Sequence, residues 1–243
     1  MVKLVKFAPL VALALLPASN AFSQQQYQDF AFIGISGELG KSVFTDSGKA
    51  KASVQPNLFY NGKYGFIDGS LANVTILPYV GLSGHWRFAE VSNDFDDIPN
   101  GIQDRDGNGE LGITFGTVGA RVTFLQDVTD QHNGYEVQLH LGRTFDVIDS
   151  YFTITPYVEV DYRSRELSQH LYDISFEESA ASGLKQFKSG HTWVYQGGLI
   201  GLVDVNTNWS ALGKLELQHH DSDSPLIQRD LGWSFSLGAV YKF

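Results

Sequence analysis

The stretch Leu231 to Phe243, which ends the chain, alternates with a period of two. Leu231, Trp233, Phe235, Leu237, Ala239, Tyr241 and Phe243 fall on one face of an extended strand, and Gly232, Ser234, Ser236, Gly238, Val240 and Lys242 on the other. A soluble sheet would bury the apolar face beneath a second layer. A membrane barrel turns that face to lipid and keeps small or polar residues inside. Closing on Tyr241-x-Phe243 with Gly238 five residues earlier resembles the signal read by the outer-membrane barrel-assembly machinery, so Gly238, Tyr241 and Phe243 are its candidate residues.

The same rhythm recurs upstream with charge on the inward face. In 151–163, Phe152, Ile154, Pro156, Val158, Val160 and Tyr162 oppose Thr153, Thr155, Tyr157, Glu159, Asp161 and Arg163. In 134–142, Tyr135, Val137, Leu139 and Leu141 oppose Glu136, Gln138 and His140. In 209–218, Trp209, Ala211, Leu215 and Leu217 oppose Ser210, Lys214, Glu216 and Gln218. A basic residue turned to lipid at the midplane costs about 2–4 kcal/mol, so the charges fix the register. Trp86, Trp193, Trp209 and Trp233 lie near strand ends, where amphipathic rings favour the membrane interface.

We expect an all-β fold: an antiparallel transmembrane β-barrel of about 12 strands, near 27–40, 51–60, 63–69, 70–77, 79–91, 109–116, 119–127, 134–146, 151–165, 191–204, 209–220 and 231–243. If 63–77 and 109–127 are single strands, the alternative is 10. Twelve makes the acidic segment 92–108 an outside loop, and ten puts it on the side of the tight turns. The long outer segment 166–190 is helix-prone from Phe176 to Gly183, as a lid over the mouth or an ordered surface loop.

The N-terminus agrees with export. Lys3 and Lys6 precede a short apolar run, Phe7 to Leu16, then Pro17 and the small-residue site Ala21-Phe-Ser23. This predicts a signal peptide over 1–23 and a barrel over 24–243. The run is too short for a spanning helix, which needs about 20 residues. Removing 1–23 takes away two lysines and no acid, moving the formal net charge from −10 to −12. Such a chain is a poor nucleic-acid partner, because phosphate contacts need excess Lys and Arg. With no cysteine, disulfides, thiol chemistry and Cys-ligated metals are all excluded.

Several motifs from mid-chain onward carry a family resemblance. Leu171-Tyr-Asp-Ile-Ser175, Glu177-Glu-Ser179 and Ser182-Gly-Leu184 stand in order and spacing like a Tyr-Tyr-Gly-Val-Ser, Glu-Ser/Ala, Ser-Gly-Leu signature. Trp209, Asp223-Ser-Pro225 and the closing strand follow. Upstream stand Asp104-Arg-Asp106 with Glu110-Leu-Gly112, and Asp127-Val-Thr with His132-Asn-Gly134. Together these resemble the MipA/OmpV family, with Leu171 and Asp173 in place of its first Tyr and its Gly. The resemblance implies a non-enzymatic outer-membrane barrel that meets outer-membrane lipid. It further implies a scaffold joining a lytic transglycosylase to a penicillin-binding protein, with a small porin-like channel or a loop-borne adhesin as alternatives. It transfers no functional residue.

The residues themselves offer weaker chemistry. Asp104, Asp106, Asn108 and Glu110 copy the start of a Ca²⁺ loop, but Phe115 stands where its bidentate Glu belongs. A solvated acidic loop is the favoured reading, with Asp94, Asp96 and Asp97 nearby, and no metal or cofactor is expected. His219-His220-Asp221-Ser222-Asp223-Ser224 has triad residue types, but neighbours on a strand point to opposite faces, and loop polarity explains them better. Arg121, Glu136, His140, Glu159, Asp161, Arg163, Lys214 and Glu216 are the expected lumen charges. Either they pair and fill the interior, the favoured reading, or they line a narrow pore.

Overall fold

The computed structural model describes residues 30–45, 47–93, 97–148 and 151–243. The expected signal peptide, the 24–29 segment, Asp94 and Asp96 lie outside them. The strands are β1 (Phe30–Lys41), β2 (Lys51–Gly62), β3 (Gly65–Asp68), β4 (Leu71–Leu77), β5 (Val80–Arg87), β6 (Asn108–Thr117) and β7 (Ala120–Asp127). They continue as β8 (Tyr135–Gly142), β9 (Phe145–Ile148), β10 (Phe152–Arg163), β11 (Thr192–Asp204), β12 (Trp209–Asp221) and β13 (Gly232–Lys242). Two helices follow β10: α1 (Arg165–Tyr172) and α2 (Phe176–Ser182).

Each strand pairs antiparallel with its neighbours, and β13 pairs with β1, so the sheet closes on itself. β8 and β9 both lie along β10 and make one interrupted wall strand, giving a closed barrel of 12 strands, the larger of the two expected counts. The interruption corrects the continuous strand expected over 134–146. Arg143 donates its N–H to the Pro156 carbonyl at 3.2 Å. Pro156 has no N–H to return, so the ladder fails there.

The register turns the predicted faces as expected. Leu39 stands opposite Phe235 and Ser36 opposite Gly238. Leu237 and Ile35 are exposed and Ser236 is buried, so lipid-type side chains point out and small ones in. Trp86, Trp193 and Trp233 sit at one end of their strands and Trp209 at the other, all exposed, as interfacial girdles require.

The two rims differ. One carries the start of β1, the end of β13 and short turns at 63–64, 78–79, 118–119 and 205–208. The other carries the longer segments 42–50, 88–107, 128–134, 164–191 and 222–231. Short turns mark the periplasmic side and long segments the outside.

On the outer side β10 stops at Arg163, because Ser164 caps α1: its hydroxyl accepts the Leu167 N–H. α1 was not foreseen, and it corrects the strand expected to reach 165. The expected helix at 176–183 is present as α2. A reciprocal capping box between Ser175 and Glu178 starts it, and Gly183 ends it in the left-handed region at φ 75°.

Candidate functional site: a filled lumen under an outer cap

Segments from four outer connections pack a small core of their own over the mouth. Val43, Phe44, Val91, Ile98, Ile102, Leu167, Leu171, Tyr172, Ile174 and Leu226 are all buried there. Each buried side chain of this kind contributes roughly 1.5–3 kcal/mol, enough to hold the connections down as a cap. Toward the periplasmic end the inward faces of β1, β2, β11, β12 and β13 carry a second apolar cluster. Phe32, Leu212 and Val240 are buried, with Phe30, Phe59, Ile200 and Leu202 against them. The Phe32 and Phe59 rings stack at 5.3 Å.

Paired charges line the lumen between the cap and this cluster. Beneath the cap, Arg87 reaches Glu90 at 2.9 Å, Glu110 at 3.1 Å and Glu136 at 2.9 Å. Arg163 reaches Glu90 at 2.8 Å and Glu136 at 2.9 Å. Two guanidinium groups are thus clasped by three carboxylates through charge-assisted bonds. His85 Nδ1 lies 2.7 Å from Glu110, and Gln138 donates to Glu136 at 2.7 Å. Arg163 also donates to the Tyr172 hydroxyl at 2.7 Å, and that hydroxyl lies 2.9 Å from His220 Nδ1. α1 is tied in this way to the lumen below it.

Nearer the periplasm the groups pair again. Arg121 meets Asp68 at 2.8 Å and Glu159 at 4.0 Å, with its guanidinium over the Phe66 ring. His140 lies 2.8 Å from Glu159 and stacks on Tyr157. Tyr157 donates to Glu216, which Lys214 holds at 2.7 Å. Gly198 makes room for that tyrosine, since a Cβ there would meet its ring and hydroxyl at 2.7 Å. Gln196 donates to Asp161 at 3.1 Å.

The strand register gives Arg121, Glu136, His140, Glu159, Asp161, Arg163, Lys214 and Glu216 inward-turned positions; Arg121, Glu136, Glu159, Arg163, Lys214 and Glu216 take part in ion pairs, His140 lies beside Glu159, and Asp161 takes a hydrogen bond. The sequence reading missed Asp68, His85, Arg87, Glu90 and Glu110 as members. His85 and Arg87 continue the inward series Gly81, Ser83, and that period-two signal could have found them. Glu90 lies beyond β5, where periodicity gives no direction.

The Glu90 carboxyl is held low. Burial alone would raise it, but the Arg163 and Arg87 guanidinium groups beside it outweigh that effect and bring it down to about 2. Burial pushes the Tyr172 hydroxyl well above its ordinary value and the Asp173 carboxyl up.

The Ca²⁺-loop residues do not converge. The Asp104 carboxylate accepts from the Asn93 backbone and from Ser92, which ties the 88–107 segment to itself. Asp106 offers its carbonyl to His170. Asn108 donates to Glu110, which faces the lumen and Arg87. Among the described residues no three His, Asp or Glu side chains form a metal-ligating cluster. Asp104 and Asp106 instead line an open groove of about 740 Å³ on the cap, with His170, Glu178 and Lys188. His220 is buried against Tyr172 and Phe44, and Ser224 donates to the Tyr172 carbonyl, so these groups brace the cap and are not arranged as a triad.

The proposed assembly signal sits at the seam and the periplasmic rim. A Cβ at Gly238 would meet the Ile35 carbonyl at 2.2 Å, so the seam admits no side chain there. Tyr241 packs between Trp209 and Phe243, each at 5.3 Å.

The family model described as "MltA-interacting protein MipA" matches residues 33–243. YiaT of Escherichia coli strain K12, named as an outer membrane protein, is 26% identical over 174 residues, 67% of this chain and 69% of YiaT. The MltA-interacting protein of the same strain is 26% identical over 126 residues, 51% of this chain and 50% of that protein. Among solved structures, Ail of Yersinia pestis in complex with sucrose octasulfate is 11% identical with a TM-score of 0.30, covering 88% of this chain and 98% of Ail. The outer membrane channel DcaP of Acinetobacter baumannii is 11% identical with a TM-score of 0.33, covering 91% and 99%. A closed wall with its apolar face outward, and relatives named for the outer membrane, make this an outer-membrane barrel, and the match across 33–243 makes the chain a member of the MltA-interacting protein MipA family.

Proposed function

We propose that this barrel is a non-enzymatic scaffold that holds a murein-cleaving lytic transglycosylase, and through it a penicillin-binding protein, at the periplasmic face of the outer membrane. The observation that carries the reading is the filled lumen. An apolar cap, a second apolar cluster and a paired charge network crowd the lumen, and the Arg87 and Arg163 guanidinium groups are committed to carboxylates. The name of the MltA-interacting relative supplies the kind of partner. The periplasmic rim supplies a surface: Tyr64, Tyr79, Val205 and Phe243 are exposed on or beside its short turns. Aromatic side chains of this sort anchor protein contacts as readily as they anchor a bilayer interface.

The test is capture. The full chain in nanodiscs should bind a purified lytic transglycosylase saturably, and replacing Tyr64, Tyr79 and Val205 together by Ser should weaken that binding. Absence of binding by the unaltered chain overturns the proposal. Turnover of a murein substrate by the barrel alone would overturn its non-enzymatic character.

A further inference from the structure

The barrel wall is not of even height. β3 covers only Gly65–Asp68 before the turn at Gly69–Ser70 sends the chain back along β4. Phe59 stands opposite Asp68, and the Leu58 carbonyl accepts the Gly69 N–H at 3.0 Å. Beyond that bond, Lys51–Asn57 pairs with β1 on one side and with no described strand on the other. Seven residues amount to about 23 Å of open strand edge. The far side of the gap is β5, where Trp86 donates its N–H to the Ser70 carbonyl at 3.2 Å. Above the gap the chain passes from Arg87 to Asn93, whose carbonyl accepts the Lys51 ammonium at 2.8 Å. Among the described residues this leaves a window in the outer half of the wall, with Gly69–Ser70 as its sill.

Hydrocarbon cannot satisfy this edge. Leu58 turns its carbonyl toward the window, and strand alternation turns the backbone groups of Pro56, Val54 and Ala52 the same way. Pro56 brings no N–H, as suits an unpaired edge. The carbonyls of Pro56, Val54 and Ala52, and two N–H groups, have no backbone partner among the described residues and need a polar one, because lipid-facing open edges are not tolerated within a bilayer.

The two faces of the edge differ in chemistry. Outside, Val54 and Leu58 are exposed, as is Trp86 across the gap. Inside lie Lys51, Ser53, Gln55 and Asn57, with Glu38 opposite Ser53 and accepting its hydroxyl. Lys49 is exposed just above, and Lys41 stands opposite Trp233 in the outer aromatic girdle. Among the described residues, Lys41 and Lys51 bond to backbone carbonyls, and Lys41, Lys49 and Lys51 pair with no carboxylate. Among the described residues, three ammonium groups without a carboxylate partner thus stand at the outer end of β1 and β2, the level where lipid head groups lie.

We propose that the window is a lateral docking site for an outer-leaflet lipid whose head group is a phosphorylated sugar. Lys49 and Lys51 hold the phosphate. Glu38, Ser53, Gln55 and the free backbone groups of Val54 and Pro56 bind the sugar hydroxyls. The acyl chains stay outside against Val54, Leu58 and Trp86. This site lies on the opposite half of the wall from the periplasmic rim, so it stands or falls independently of the scaffold reading.

The experiment uses the full chain in phosphatidylcholine nanodiscs with lipid A as the probe. Native mass spectrometry should show saturable binding, weakened about tenfold in the Lys49→Gln, Lys51→Gln double variant. Heat-modifiable gel mobility verifies that the variant is folded. A photo-crosslinking side chain in place of Gln55 should capture lipid A, whereas one in place of Ser234, which faces the lumen behind unbroken wall, should not. No saturable binding, equal binding by the variant, or equal capture at both positions overturns the proposal.

Discussion

Glu90 shows how the lumen charges answer to pH. Its carboxyl titrates near 4.5 when free and is brought down to about 2 in the folded chain by Arg163 and Arg87. A depressed carboxyl adds stability that is complete above its unfolded value and disappears as pH falls through its folded one. The cap should therefore loosen as pH is lowered from about 4.5 toward 2. Glu90→Gln should remove that part of the acid dependence, read by thermal unfolding of the detergent-solubilised barrel at a series of pH values. Arg163 is the other sensitive point. Arg163→Met leaves Glu90 and Glu136 to share Arg87 alone and removes the Arg163 donor from the Tyr172 hydroxyl. Breaking a buried pair costs about 3–5 kcal/mol, so the unfolding midpoint should fall well below that of the parent chain. A midpoint unchanged by Arg163→Met would mean that the network does not brace the wall.

At the scale of single elements, the closing strand and the second outer helix make separate predictions. Leu237 lies near the middle of β13 and faces out. Leu237→Arg should cost about 2–4 kcal/mol in a lipid bilayer, with a milder effect from Ser234→Lys on the lumen side. Equal costs would contradict the assignment of faces. Ser175→Ala removes one half of the α2 capping box, worth about 1 kcal/mol. Amide exchange over 176–182 should then speed up while that of the wall strands stays slow.

Elements of this kind were legible in sequence to the extent that a local rhythm encodes them. β10 through β13 carry alternation strong enough to give both face and register, and Gly183 announced the end of α2. α1 was hidden because Arg165–Tyr172 is short and its start depends on Ser164, which also continues the strand pattern. The break after Gly142 comes from Pro156 on a neighbouring strand. β3 and β4 were read as short, but the open edge their shortness leaves on β2 is visible only once strands are placed side by side. The lumen charges were readable by face, and their pairing was not. Arg87 and Glu136 come together over two intervening strands, and Glu110 had been read with the acidic loop it follows.

For the whole molecule, the arrangement is a wall whose lumen is lined with paired charge beneath an apolar cap. The cap, the paired charge and the second apolar cluster follow one another from outside to periplasm. A barrel of this strand number is narrower than the 16–18-stranded porins that hold open water, so side chains of ordinary length can fill it. What such a molecule offers its surroundings is surface: a periplasmic rim, an outer cap with a groove, and a window in the outer half of the wall. The measurement that bears most directly on this account is single-channel recording of the refolded full chain in a planar bilayer. The crowded lumen predicts no steady ion conductance, with current emerging only when Arg87, Arg163 and the cap residues Leu167 and Leu171 are replaced together by Ala. Stable open-channel steps from the unaltered chain would contradict it and restore the porin-like reading.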